Sequence, residues 1–127
     1  HHPAEVLATL NAAKNGWNKR LIAVFQPHLF SRTRDFYKEF AKAFLKSDIL
    51  ILTDIFEARE KPIQGITSEI IYNESIKLGH KNVELIKNQF DIPKRLKDIS
   101  QTNDIIITMG AGNIWRQCEN IYKALEA

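Results

Sequence analysis

Cysteine occurs once in the 127 residues, at Cys118, and methionine once, at Met109. A lone thiol excludes an intramolecular disulfide framework, and the expected setting is a reducing compartment, the cytoplasm by default. Long apolar runs are missing too: Leu21–Phe25 and Ile49–Leu52 fall far below the roughly 18 residues of a membrane span, so no membrane segment is expected. With 5 glycines and 4 prolines there is no Pro/Gly-rich linker or low-complexity tract, and no internal repeat is found. Charge of one sign is scarce as well. The 18 Lys and Arg against 15 Asp and Glu leave +3, spread along the chain, which does not point to nucleic acid as a partner. What remains is an ordinary globular composition, 44% hydrophobic and 26% charged, sufficient for one domain. The chain opens on His1-His2-Pro3 and not on methionine, which reads as a piece of a longer protein.

Hydrophobic patterning predicts four buried strands, at 21–25, 48–53, 83–86 and 104–109, each nearly continuous in apolar character. Helical spacing separates them. Val6, Leu7, Leu10 and Ala13 lie on one face of a helix over 4–14 that Asn15-Gly16 should stop. Phe36, Phe40 and Phe44 form a stripe beside Tyr37, Ala41 and Leu45, with Ser31 as its N-cap. Ile70, Ile71, Ile76 and Leu78 follow the caps Thr67 and Ser68 and end at Gly79, and a weaker helix with Leu96 and Ile99 follows Asp91. In a last helix, Ile114, Cys118, Ile121, Tyr122 and Leu125 share a face that should pack on the sheet, making Cys118 core filler and not a nucleophile. Unalternating strands separated by helices define an α/β fold: a three-layer, Rossmann-like domain with a mostly parallel sheet flanked by helices.

In such sheets ligands sit beyond the carboxyl ends of the strands. After the first strand, residues 26–34 place His28 in a loop and Arg32 and Arg34 in the first turn of a helix. Cations there oppose the helix dipole, a cost that an anionic ligand gripped by guanidinium and free N–H groups would offset; plain solvation is the competing reading. After the fourth strand, Gly110, Ala111 and Gly112 form a turn into a helix, where the glycines serve either a ligand or close backbone packing. The dinucleotide fingerprint fails because position 115 is Trp115, and no GxxxxGK[ST] motif occurs anywhere in the chain. The segment 54–66 is long for this class and carries Asp54, Glu57, Arg59, Glu60 and Lys61, charges expected to face water. His1, His2, His28 and His80 lack metal-ligand spacing, so no metal site is expected. On composition alone His1 and His2 read either as native residues or as the remains of a tag.

Several segments, in order and in register, resemble signatures of the Mur ligases. These are His1-His2-Pro3-Ala4-Glu5-Val6, Phe25-Gln26-Pro27-His28 with Ser31-Arg32-Thr33-Arg34, the loop Asp54-Ile55-Phe56-Glu57-Ala58-Arg59-Glu60 with Pro62-Ile63-Gln64-Gly65, and Thr108-Met109-Gly110-Ala111-Gly112. The resemblance spans nearly the whole chain and is nearest to the alanine-adding branch. It implies that residues 1–127 are the C-terminal domain of a three-domain ligase, with the UDP-sugar and central ATPase domains lying outside this chain. The implied reaction serves peptidoglycan biosynthesis. ATP, with Mg2+, converts the lactyl carboxylate of UDP-N-acetylmuramate to an acyl phosphate that the amine of L-alanine attacks. By the same resemblance Arg32 would hold the alanine carboxylate, His1 and His28 would line the substrate site, and Gly110, Ala111 and Gly112 would lie near the amino-acid pocket. The acidic contact to the ATP ribose is expected just upstream of His1, and the chain alone should be inactive. Some family members carry arginine directly after the Phe-Gln-Pro-His histidine, where this chain has Leu29, so Arg34 is the remaining candidate for a second contact. Two other readings are the ligase that reattaches recycled peptide to the same UDP-sugar and a non-catalytic anion- or nucleotide-binding module.

Overall fold

The computed structural model describes residues 2–126. Along the chain it forms α1 (Pro3–Trp17), β1 (Leu21–Phe25), α2 (Phe30–Ala43), β2 (Ile49–Leu52), α3 (Glu69–Lys77), β3 (Val83–Leu85), α4 (Ile92–Ile99), β4 (Ile105–Met109) and α5 (Gln117–Glu126), with short 3-10 turns between several of them. All strand pairs are parallel, in the order β3-β2-β1-β4. The α/β expectation holds, and the four strands lie where their apolar runs put them.

Both faces of the sheet are covered, which is why the central strands are apolar throughout. Alternation along β1 and β2 sends Leu21, Ala23, Phe25, Leu50 and Leu52 into one core with α1, α2 and α3, and Ile22, Val24, Ile49 and Ile51 into another with α4 and α5. Phe25 anchors the first core, its ring 4.9 Å from Phe40 and 4.8 Å from Phe44. Burial of each such side chain stabilises the fold by about 1.5–3 kcal/mol.

Several expected boundaries shift, each for a local reason. Helix α1 runs past Gly16 to Trp17 and stops at Asn18, whose left-handed backbone (φ 49°) donates its N–H to the Lys14 carbonyl at 3.1 Å. Ser31 is not the cap of α2. The helix starts at Phe30, one residue earlier, after Leu29 at φ 69°. Asp48, Thr53 and Asp104 fall just outside the strands, and their side chains bond backbone groups of the adjoining segments: Asp48 accepts from Leu21 N, Thr53 donates to Lys87 O, and Asp104 accepts from Gln101 N. The Ser68 hydroxyl donates to the Thr53 carbonyl and caps no helix, while Thr67 Oγ1 accepts from Glu69 N. Leu45, expected in the α2 stripe, is exposed just past the helix.

The largest correction concerns α5. A 3-10 turn over Ile114–Arg116 precedes it, and its tighter winding advances the phase of the helix. Ile114, Gln117 and Ile121 therefore face inward, whereas Cys118 is exposed, Tyr122 is 64% exposed and Leu125 is 40% exposed. Cys118 is not core filler. Its thiol lies 3.3 Å from the Thr108 hydroxyl.

Candidate functional site

Parallel pairing brings the residues after all four strands to one edge, and two of these segments are bound to each other. Phe56 N donates to Pro27 O at 2.8 Å and Leu29 N to Phe56 O at 3.0 Å, a one-residue parallel bridge between His28 and Phe56. The His28 ring stacks on that of Phe56 at 5.8 Å and 16°. Leu29 adopts a backbone conformation rare for a non-glycine residue, which costs about 1–3 kcal/mol. The bridge holds it there, together with Thr33, whose buried hydroxyl donates to Leu29 O at 2.8 Å.

The turn so fixed presents Arg32. This half-buried guanidinium makes no hydrogen bond or ion pair among the described residues, whereas Arg34, two residues on, pairs with Asp35 at 2.9 Å in solvent. Burial, followed by the positive charge of Arg32, pushes His28 below its ordinary pKa of 6.5, so the imidazole is neutral at physiological pH. A fixed cation beside a neutral, partly desolvated imidazole suits recognition of a carboxylate or phosphate.

The turn after β4 is positioned by Gln26, only 3% exposed. Its Oε1 accepts from Asn113 N at 3.0 Å and Ile114 N at 3.1 Å, and its Nε2 donates to Asn113 Oδ1 at 2.8 Å. Gln89 donates to the same Oδ1 at 2.9 Å, extending the carboxamide network to Gln117 and Asn120. Close packing requires both glycines. A Cβ at Gly110 would lie 2.8 Å from Gln26 O, and one at Gly112 would lie 2.5 Å from Phe56 Cγ and 2.6 Å from Gln26 Oε1. Ala111, between them, is exposed. A cleft of about 330 Å³ lies beside this turn, lined by Thr53, Asp54, Phe56, Lys87, Gln89 and Asn113 among others.

His28, Arg32, Phe56 and the Gly110–Gly112 turn thus converge at the carboxyl edge, while Arg34 is drawn toward Asp35. His1 lies outside the described residues. His2 caps α1, its Nδ1 accepting from Ala4 N at 3.2 Å, with its ring 5.3 Å from Phe36 of α2. His80 sits at the opposite edge of the sheet, beside Ser47. The described residues include no group of three or more His, Cys, Asp or Glu able to hold a metal ion, and no helix is long and apolar enough to cross a membrane.

Sequence reasoning missed Gln26, Asn113 and Glu60. The expectation that the charges of segment 54–66 all face water fails at Glu60, whose carboxylate takes Ser31 N at 2.9 Å and Ser31 Oγ at 2.5 Å. Ser31, followed by two arginines and preceded by no capping side chain, was the available signal that an acceptor must come from elsewhere.

Fold and site together define an α/β domain that offers an unneutralised cation at the ligand edge of a parallel sheet. The family described as "Mur ligase, glutamate ligase domain" matches residues 1–112, and the chain belongs to it. The UDP-N-acetylmuramate--L-alanine ligase of Geotalea uraniireducens (strain Rf4) is 48% identical over 126 residues, covering 99% of this chain and 28% of that protein. The ligase of the same name from Trichlorobacter lovleyi (strain ATCC BAA-1151 / DSM 17278 / SZ) is 46% identical, covering 98% and 28%. The chain therefore spans about 28% of the length of these curated relatives. Among solved structures, a murein peptide ligase from Psychrobacter arcticus 273-4 superposes with a TM-score of 0.77 at 21% identity, covering 98% of this chain and 26% of that one. At that identity the likeness is one of fold.

Proposed function

We propose that residues 1–127 form one domain, the C-terminal domain of a cytoplasmic, ATP-dependent ligase that joins L-alanine to UDP-N-acetylmuramate in peptidoglycan biosynthesis. The observation that carries this reading is the unpaired Arg32 guanidinium beside His28, in a chain nearly half identical to ligases of that name. Arg32 binds the carboxylate of the incoming amino acid by charge-assisted hydrogen bonds. His28, neutral and half-buried, lines the substrate side of that contact. His1 is a further proposed substrate contact. Phe56 and the Gly110–Gly112 turn bound the pocket that receives the amino acid, and Arg34, held by Asp35 in solvent, is the weaker candidate for a second contact.

In the family reaction the amine attacks the carbonyl carbon of an acyl phosphate, the bond from that carbon to the phosphate oxygen breaks, and phosphate leaves as the amide forms. An acyl phosphate is open to hydrolysis, so a domain closing over it raises yield by excluding water and holding the amine in place. The described residues include no group of three or more His, Cys, Asp or Glu able to hold a metal ion, and the sequence has no P-loop. ATP phosphates and Mg2+ therefore fall to the rest of the ligase, and the 127-residue chain by itself is expected to be inactive.

The test is to place this chain in the G. uraniireducens ligase in exchange for the matching segment. Phosphate release is then measured with ATP, Mg2+ and UDP-N-acetylmuramate, comparing L-alanine, glycine, L-serine and a short cell-wall peptide. Alanine-dependent turnover is expected. Turnover with the peptide alone would move the assignment to a recycling ligase, and silence from a folded chimera beside an active parent would favour a non-catalytic anion-binding module.

A further inference from the structure

Helix α2 begins with a conflict. Its first turn contains Arg32 and no acidic residue, Arg34 follows just beyond it, and Leu29 at the cap position supplies no side-chain hydrogen bond. Cations at a positive helix end and amides without acceptors both work against that turn. Glu60, contributed by the long loop after β2, meets both needs: one carboxylate oxygen accepts from Ser31 N and the other from Ser31 Oγ. Those bonds, the Ser31 hydroxyl foremost, hold the Glu60 carboxyl below its ordinary range, favouring the charged form.

The choice of partner matters as much as the charge. Glu60 spends both oxygens on Ser31 and pairs with neither arginine; Arg34 goes to Asp35. Arg32 is left open although a carboxylate is bound to its neighbour in sequence. A pair between Glu60 and Arg32 would neutralise the cation. Loss of Glu60 would leave bare amides at the start of α2, a competing receptor for any anion that approaches. The same loop is pinned a second time by Phe56, through its backbone bridge to residues 27 and 29 and its ring on His28.

We infer that Glu60 is the positioning residue of the amino-acid site: by filling the amino end of α2 it directs the substrate carboxylate to Arg32 and holds the Phe56 segment against His28. This inference rests on the reading of Arg32 given above, and it acts through Arg32 and not through contact with substrate.

The experiment uses the chimeric ligase with Glu60→Ala, Glu60→Gln and Ser31→Ala. Its unmodified form first reports whether alanine is the substrate, so failure of that reading is seen separately. Glu60→Ala should raise the KM for L-alanine about 10-fold while kcat and the KM for ATP stay within about twofold. Glu60→Gln keeps an acceptor for Ser31 N and should fall between the two. Sulfate should compete with alanine at Arg32 in the parent chimera and inhibit Glu60→Ala several-fold more strongly, a gain that general loosening of the fold does not produce. In parallel, sulfate titrated into the 127-residue chain should shift the backbone amide resonances of residues 30 and 31 only when Glu60 is replaced, whatever the substrate proves to be. An unchanged alanine KM, equal rises for alanine and ATP, or a sulfate sensitivity of Glu60→Ala no greater than that of the parent would each overturn the inference. If Glu60→Ala does not fold, Glu60→Gln and Ser31→Ala carry the same comparison at smaller size.

Discussion

The two edges of the sheet are built on opposite principles. At the amino edge every buried or half-buried charge is matched: Arg20 forks onto Asp104 at 3.0 and 2.6 Å and reaches Ile99 O at 2.8 Å, and Lys14 meets Asp48 at 2.5 Å. His80 there accepts from Asn82 N and faces the Ser47 hydroxyl. At the carboxyl edge the backbone is held just as firmly, by Gln26, Asn113 and Glu60, yet the half-buried Arg32 has no ion pair among the described residues. Local rules are satisfied where the chain only has to fold and are left incomplete where a ligand would complete them.

The contrast can be broken in graded ways. The largest stability effect should come from Gly112→Ala, whose new Cβ meets Phe56 and the Gln26 carboxamide inside 2.7 Å of either; overpacking of this kind costs about 1–3 kcal/mol, at the upper end here because both neighbours are pinned. Urea unfolding of the chain reads that loss directly. Pairing it with Phe56→Ala, which removes the Cγ at 2.5 Å, should return part of it, and a fully additive double variant would show that the ring is not the obstacle. Next comes Asp104→Ala at the opposite edge, which strands Arg20 and frees the Gln101 N–H. About 2 kcal/mol of destabilisation is expected, with the alanine KM of the chimera unchanged.

Acid separates the edges further. Burial lowers the pKa of both His28 and His80 from the usual 6.5. A lowered folded-state pKa means the unfolded chain takes up protons first. The contribution of each histidine is therefore intact above about pH 6.5 and is lost as pH falls through its depressed value. Asp104, held low by its hydrogen bonds to Arg20, adds a second loss below its ordinary 3.8. His80→Gln should flatten the first step of a stability-against-pH curve. Arg32→Ala should raise the pKa of His28 and leave that of His80 in place, measured by NMR titration; equal shifts at both rings would dissolve the distinction between the edges. The smallest effect belongs to Arg34→Ala. Because that guanidinium is held by Asp35 in solvent, the alanine KM should change by less than about threefold.

Much of this was legible in the chain itself. Continuous apolar runs located all four strands, and the post-strand position of His28 and Arg32 located the ligand edge, because both signals are local. The errors arose where a side chain acts across the fold. Asp48, Thr53 and Asp104 look like strand ends until their bonds to Leu21, Lys87 and Gln101 are seen. Glu60 reads as one more solvated charge because Ser31, the residue it caps, lies 29 residues earlier in the chain. Gly110 and Gly112 left ligand and packing readings open, and the approach of Gln26 and Phe56 supplies the packing reason. The phase of α5 was lost to a single 3-10 turn that apolar spacing does not reveal.

The central claim is that the open cation at the carboxyl edge captures the amino-acid carboxylate, and it is tested most directly by Arg32→Ala in the chimeric ligase, with KM measured for L-alanine and for ATP. The expected result is a rise of about 30- to 100-fold for alanine, with ATP within about twofold and Arg32→Lys in between. Equal effects on both substrates, or none on alanine, would contradict it.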